Sequence, residues 1–422
     1  MLNPETKQRE LAYVVKIDDI EPIVGSDNCE AAVVGGWRVM IRKNTFQPND
    51  LGIYFEIDSK VDTTKPEFAF LEKKHGKIKT QRYTFGGKNP GFYSQGLLMS
   101  AEDFGGMQYQ DGDGQFYIHF DKNSFFKKNV DYKAEDFLTQ ELGVVYSTAE
   151  DNKRKAKVNP DAKINAALQR HPEIAKKYGK KIKNNKFLRW GFLLLFGRKR
   201  DVRNWPQEVS RTDEERIENR VWTLEDSNKV WIATEKVDGS STTFHIRRKK
   251  PFKKEEFFIC SRNVVFDTPD KPNYYSDTIG RNIYTDMAEK YNIKEVLQKL
   301  LEKYPDAEWV TIQGETYGNK VQKRDYGLQG QDFAAFNLIF SHRGRINTIE
   351  MKKILDEFDV PTVPIVREKY NLPPTIEELR EFVHSEKSLI DGGMKEGIVF
   401  RSEDAGDSFK CVDPAFLIKY HS

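Results

Sequence analysis

The sequence predicts an α+β protein of more than one domain, and three observations carry that prediction. Its 422 residues exceed the size of one compact domain and favour two or three. Up to about residue 120 the chain reads as short strands with little helix between them, the pattern of a small barrel or sandwich. From Gln207 to Ser422 strands alternate with longer helical stretches, and strands with segregated helices mean α+β.

In the first part, Leu11–Ile17, Ala31–Ile41 and Gly52–Ile57 are rich in Val, Ile and aromatic residues, with further short strands around Lys77–Phe85 and Gly96–Met99. Turn material separates them: Gly25-Ser26-Asp27-Asn28 and Pro48-Asn49-Asp50. Residues 131–205 break the pattern. Ala162–Leu168 and Pro172–Lys180 have apolar residues at helical spacing among frequent Lys and Ala, which predicts an inserted helical module or linker. In the last part the expected strands are Val230–Thr234, Thr242–Arg247, Phe257–Cys260, Trp309–Gly314, Phe333–Phe340, Gly397–Arg401 and Ser408–Val412. The expected helices are Asp277–Tyr291, Ile293–Lys303, Thr348–Glu357 and Thr375–Ser385. The division is therefore 1–130, 131–205 and 206–422.

At 38% hydrophobic, 12% aromatic and 32% charged, the chain can build ordinary cores and is not disordered throughout. No apolar run approaches the roughly 18–20 residues that span a bilayer, and Phe187–Phe196 is interrupted by Arg189. The polar start MLNPETKQRE has no signal-peptide core. Cys29, Cys260 and Cys411 are scattered and odd in number, giving neither a CxxC metal pair nor a disulfide framework, so an intracellular, reducing setting is expected. A net charge of +3 hides an asymmetry: Lys153–Arg200 holds sixteen Lys/Arg against Asp161 and Glu173, a local +14 that leaves −11 elsewhere. Such a block meets polyanions or is a solvated linker.

The stretch that carries chemistry is Thr234-Glu235-Lys236-Val237-Asp238-Gly239-Ser240-Ser241, between two β-rich runs. A lysine ending a buried strand before a glycine turn can be held dehydrated and near cations, which lowers its pKa and frees a neutral amine for attack. Partners follow in order. Glu315 sits in Ile312-Gln313-Gly314-Glu315, 79 residues downstream; Phe336 lies in Asp332–Leu338; Glu396 precedes Gly397-Ile398-Val399-Phe400; Lys410 lies in Ser408-Phe409-Lys410-Cys411. Lysine, acid, aromatic, acid and lysine suit nucleotidyl transfer through a lysine phosphoramidate.

In order and wording these stretches resemble motifs I, III, IIIa, IV and V of the covalent nucleotidyltransferases: DNA ligases, RNA ligases and mRNA capping enzymes. The chain most resembles the RNA ligases with an N-terminal OB domain, known from Naegleria and Deinococcus. The β-rich module precedes the lysine, and Ser210–Asn219 resembles the stretch such enzymes carry upstream of it. Gly35-Gly36-Trp37, Tyr54–Ser59 and Ser94-Gln95-Gly96-Leu97 resemble their OB module. The resemblance implies an OB-like barrel and a transferase domain of antiparallel sheets with flanking helices; it does not cover about 130–205, the basic helical insertion.

It also implies roles. Lys236 would take AMP from ATP, with Lys410 on the α-phosphate and Glu235 near the adenine. Asp238 would hold water on a Mg²⁺ or Mn²⁺ ion or fix the turn, and Glu396 would bind that ion through water. Glu315 would meet the ribose, support Lys236 or serve the metal. Phe336 would stack on adenine, with Phe333 and Phe340 in the core. Arg262, in Ser261-Arg262-Asn263, would touch the AMP phosphate or the nucleic-acid end, and Arg216 the triphosphate or the RNA. Many relatives carry K-x-K in motif V; here Lys410-Cys411-Val412 lacks the second lysine, and Lys419 is the candidate replacement.

The expected function is ATP-dependent joining of 3′-OH and 5′-phosphate RNA ends, in RNA or an RNA-containing nicked duplex, by a monomer acting away from membranes. The alternatives are a GTP-using capping guanylyltransferase and a non-catalytic OB-fold nucleic-acid-binding protein. The first domain and the basic segment are expected to act in strand binding more than in nucleotide chemistry. A chain starting near Asp201 would then still form some adenylate but seal ends poorly.

Overall fold

The computed structural model describes residues 1, 3, 9–85, 91–147, 164, 168, 171–196, 205–212, 214–248, 255–262, 265–266 and 282–421. In the first domain the strand Ala12–Lys16 pairs antiparallel with Leu51–Phe55, which pairs in turn with Leu97–Met99. Beside it runs a meander of Asp19–Pro22, Cys29–Val34 and Trp37–Arg42. The expected single strand Ala31–Ile41 is thus a hairpin. Val34 faces Trp37 across the turn Gly35-Gly36, and Gly35 takes the left-handed φ of +55° that such a turn needs. Alternate residues of these strands, among them Val14, Ile53 and Phe55, pack on Phe68, Phe104 and Phe120.

The domain runs past the expected boundary at residue 130. Gly106–Gln110, Phe116–Phe120 and Val130–Tyr132 form a further sheet. Leu138, Leu142 and Val144 complete the core, and Leu138 donates its N–H to the Ala12 carbonyl at 2.8 Å. In the basic segment, helices Pro172–Asn184 and Lys186–Phe196 pack Ile182 on Phe192, together with Ile164 and Leu168. Of the expected helix Ala162–Leu168 only those two residues lie among the described residues. No helix of the described residues is long and apolar enough to cross a membrane.

The second domain is two antiparallel sheets. One has the order Ile365–Asn371, Val230–Lys236, Gly397–Ser402, Ser408–Val412. The other has the order Val265–Phe266, Glu256–Ser261, Ser240–Arg247, Trp309–Gly318, Gln331–Phe340, Gly344–Arg345. Helices Ile283–Lys290, Ile293–Lys303 and Thr348–Asp356 cover the larger sheet, burying Met287, Leu297, Leu300 and Ile354 on Phe244, Ile312 and Leu338. Helix Ile376–Ser385 covers the smaller through Leu379 and Val383. The first part of the expected helix Asp277–Tyr291, residues 277–281, lies outside the described residues. Strand Ile365–Asn371 and helix Pro414–His421 were not expected.

A buried polar joint connects the domains. Glu56, fully buried, accepts from Arg9 Nε at 2.8 Å, Tyr13 Oη at 3.1 Å and Asn219 Nδ2 at 2.9 Å, and also meets the Met1 ammonium. Gly36 lies so close to the second domain that a Cβ there would be 2.5 Å from Glu218 Cα. Burial alone would raise the Glu56 pKa; Arg9, the amino terminus and Asn219 outweigh it and hold the carboxyl at about 2, below the usual 4.5. A depressed folded-state pKa stabilises above pH 4.5, and that stability is lost as pH falls towards 2. Glu56→Gln is therefore expected to cost on the order of 3 kcal/mol at pH 7 and to flatten the loss between pH 4.5 and 2. Urea unfolding across that range checks it; parallel curves for the two proteins would refute the assignment.

Candidate active site

Strand Val230–Lys236 belongs to the smaller sheet and strand Ser240–Arg247 to the larger, so the turn between them crosses from one sheet to the other. A Cβ on Gly239 in that turn would sit 2.3 Å from the Thr316 carbonyl oxygen, which excludes any side chain. Lys236 therefore ends its strand, opposite Gly397, at a cavity of about 560 Å³. Thr234, Lys236, Val399 and Lys410 line it from the smaller sheet, and Ser240, Ser241, Ser261, Glu315 and Phe336 from the larger, with Arg262 just beyond the strand end at Ser261.

Lys236 Nζ donates to Glu396 Oε2 at 2.7 Å. Here the structure corrects the expected electrostatics. Burial pushes the Lys236 pKa down, but Glu396, Glu315 and Asp238 together raise it above the ordinary lysine value. In this state Lys236 is an ammonium ion, and the carboxylates must be neutralised before it can attack. Glu315 shows the same crowding: burial first, then Glu396 and Asp238, push its carboxyl up to about 8, against the pull of Lys236 and Arg262. Lys395 is the buried lysine with a lowered pKa, about 8 by burial, yet its ammonium donates to the Val383 carbonyl at 2.6 Å and to that of Glu386, outside the cavity.

Asp238 is buried; its N–H donates to Tyr326 Oη at 2.6 Å, and its Oδ1 faces His421 Nε2 at 3.2 Å. Its Oδ2 is buried with no hydrogen-bond partner among the described residues. Glu235 also lines the cavity, but its carboxylate is held elsewhere, accepting from Ser388 Oγ at 2.6 Å and from Leu389 N at 2.8 Å. Phe336 faces the cavity with the Arg401 guanidinium 5.7 Å from its ring, while Phe333 and Phe340 are in the core as expected. Arg262 lies 5.7 Å over the Tyr146 ring. Asn263 lies outside the described residues.

Strand alternation explains motif V. Lys410 and Val412 line the cavity and Cys411 points into the core, so the position of a second lysine is occupied by Val412. Lys419 does not replace it. It is exposed, its ammonium 4.9 Å from the Tyr420 ring, and it is absent from the cavity wall. The last helix delivers His421 there instead, and the hydrogen bond to Asp238 raises the His421 pKa and favours its cation. A lone terminal histidine gave no sequence signal. Arg401, joined to Glu214 at 3.0 Å and Thr234 Oγ1 at 3.2 Å, was also missed, since its motif reads as an ordinary strand.

The first domain forms part of this wall. Arg9, Asp58 and Tyr146 line the cavity beside Arg216. The first domain thus contributes to the nucleotide cavity as well, and a chain beginning near Asp201 would lack one side of the pocket.

Among the described residues no three His, Cys, Asp or Glu side chains form a ready-made metal cluster. What the structure offers is an unpartnered buried oxygen on Asp238 with Glu396 and Glu315 around Lys236. Those oxygens fit a hydrated Mg²⁺ or Mn²⁺ rather than a direct three-carboxylate cage.

A lysine between two sheets, with acids around it and a second strand lysine in the same cavity wall, is the arrangement expected of a ligase domain. Residues 229–421 match the RNA ligase family model and residues 11–99 an OB-fold domain model. The second domain is thus an RNA ligase domain and the first an OB-fold domain. The fold is that of Naegleria gruberi RNA ligase: the structure of that enzyme with pyrophosphate matches with a TM-score of 0.67 and 23% identity, over 98% of this chain and 99% of that one. A lysine-to-alanine variant of it with ATP and manganese matches with a TM-score of 0.66, and a glutamate-to-alanine variant with AMP and manganese with 0.67, each at 23% identity over 98% of this chain and 99% of the other. No curated protein sequence matches the chain.

Proposed function

We propose that this protein is an ATP-dependent RNA ligase that works through a lysyl-AMP intermediate and repairs nicks in RNA-containing duplexes. The observation that carries this is Lys236, 2.7 Å from Glu396, in a cavity that also presents Glu315, Phe336, Lys410 and Arg216. ATP brings about four negative charges, so attack at its α-phosphorus needs them neutralised. Lys410 and Arg216 serve the phosphates, Phe336 offers its ring to the adenine, and Glu396 holds the Lys236 proton-bearing nitrogen in place. Asp238, Glu396 and Glu315 would hold a divalent cation, which would supply charge neutralisation against the field of acids around Lys236.

The chemistry then runs in three displacements. The Lys236 ammonium gives up a proton to Glu396, 2.7 Å away, and the Nζ–Pα bond forms as the Pα–O bond to pyrophosphate breaks. A 5′-phosphate oxygen of the nucleic acid takes the AMP and restores the lysine. A 3′-hydroxyl attacks that activated phosphate and AMP leaves. Each is an in-line transfer that needs positioning and charge stabilisation. Ser240, Ser241 and Arg262 line the cavity as polar groups for the strand ends, and the +14 segment adds charge for the strand itself.

Labelled ATP and GTP, followed by a denaturing gel, test the nucleotide: label is expected from ATP alone. Four matched nicks, differing only in the sugar on each side, test the substrate. A ribose at the 3′-OH side is expected to speed sealing at least about tenfold, because the 2′-OH is the group that separates RNA from DNA and one lost hydrogen bond in a buried site costs on the order of 1–3 kcal/mol. Equal rates would replace the RNA ligase by a general nick sealer, and label from GTP would favour a capping enzyme.

A further inference from the structure

Arg216 is 5% exposed and lines the cavity, yet its Nε and Nη1 are buried with no hydrogen-bond partner among the described residues. A buried guanidinium with idle donors is costly unless a ligand brings acceptors. Its backbone is fixed on the second domain, where residue 216 bridges to Lys410 and the Glu215 carbonyl accepts from Lys410 N at 2.8 Å. Its side chain, however, lies over the first domain. The guanidinium is 5.8 Å from the Trp37 ring, and Nη2 is 3.7 Å from Asp58 Oδ2.

One residue locks that arrangement. Asn219 is tied to Arg216 by its own N–H, 3.0 Å from the Arg216 carbonyl. Its Oδ1 accepts from Trp37 Nε1 at 2.6 Å, and its Nδ2 donates to Glu56 Oε1 at 2.9 Å and Glu215 Oε1 at 2.6 Å. Only an amide accepts from an indole and donates to two carboxylates at once. We propose that Asn219 is a positioning residue for the nucleotide's β- and γ-phosphates: by clamping Trp37 and Glu56 of the OB-fold domain it holds Arg216 at the polyphosphate end of the cavity. The proposal rests on the ATP reading above. It makes the docked first domain part of triphosphate recognition, while AMP, which lacks those phosphates, is indifferent to the clamp.

The test measures affinity, with Mg²⁺ present, for AMP and for an ATP analogue with a methylene between the α- and β-phosphorus, which cannot transfer its AMP. Asn219→Ala is expected to weaken the analogue about tenfold and AMP less than about twofold, as befits one lost clamp of hydrogen bonds. Asn219→Asp, which sets a carboxylate against Glu56 and Glu215, is expected to weaken the analogue further. Unchanged analogue affinity, or equal loss of both ligands, would overturn the proposal. If near-ultraviolet circular dichroism shows that the Asn219 variants do not fold, Trp37→Phe decides by the same comparison, since it keeps an aromatic ring at that place and removes the indole N–H. Covalent labelling of the unaltered protein by ATP is scored separately: its absence would overturn the ligase reading, whereas the ratio of the two affinities alone decides the role of Asn219.

Discussion

Lys236→Ala is expected to abolish covalent labelling by ATP, at least about a thousandfold, because no other group supplies the attacking atom. The side chain is 25% exposed at the cavity mouth and packs no core, so the variant should stay folded. Lys236→Arg should fail equally, since a guanidinium stays protonated and cannot attack phosphorus. The arginine variant is the sharper control: it keeps a cation against Glu396, Glu315 and Asp238 and so keeps the electrostatics that raise the lysine pKa. A denaturing gel after incubation with labelled ATP reads the result. Label surviving in either variant would move the nucleophile elsewhere, with Lys410 the next lysine on the cavity wall.

Much of this site was legible because its residues sit at the ends of strongly patterned strands. Ile293–Lys303 and Ser408–Val412 are found with their expected limits, and Val230–Lys236 with two residues more than expected. What escaped has a physical reason in each case. Strand Ile365–Asn371 is a sheet edge whose middle, Arg367-Glu368-Lys369, is exposed, so it carries no apolar alternation. The strands beyond Gly106 are short and half-exposed, and only their packing under Phe104 and Phe120 joins them to the first core. Chemistry followed the same rule. Lys236, Glu315, Glu396 and Lys410 announce themselves beside glycine turns and apolar strands. Arg9, Asp58, Tyr146 and His421 reach the cavity only through domain docking or chain closure, which local sequence does not encode. The raised Lys236 pKa of the cation-free cavity has a related origin: spacing along the chain gives the acids but not their crowding about one ammonium.

That crowding sets the second large effect. In the cation-free cavity burial first, and then Glu396 and Asp238, push the Glu315 carboxyl up to about 8. Asp238 meanwhile keeps a buried oxygen without a partner. An oxygen-seeking cation would relieve both features. Excess EDTA is therefore expected to stop ATP labelling, and Mg²⁺ or Mn²⁺ to restore it. Glu396→Ala should lower the labelling rate about a hundredfold to a thousandfold, the range for losing one preorganised electrostatic group, while leaving thermal stability nearly unchanged. Because cation and proton compete for Glu315, the Mg²⁺ concentration for half-maximal labelling should fall as pH rises towards 8. Glu315→Gln should remove that dependence along with most of the rate. Mg²⁺ titrations of labelling on either side of pH 8 give the answer: full activity in EDTA, or a half-maximal concentration that ignores pH, would take the metal away from these carboxylates.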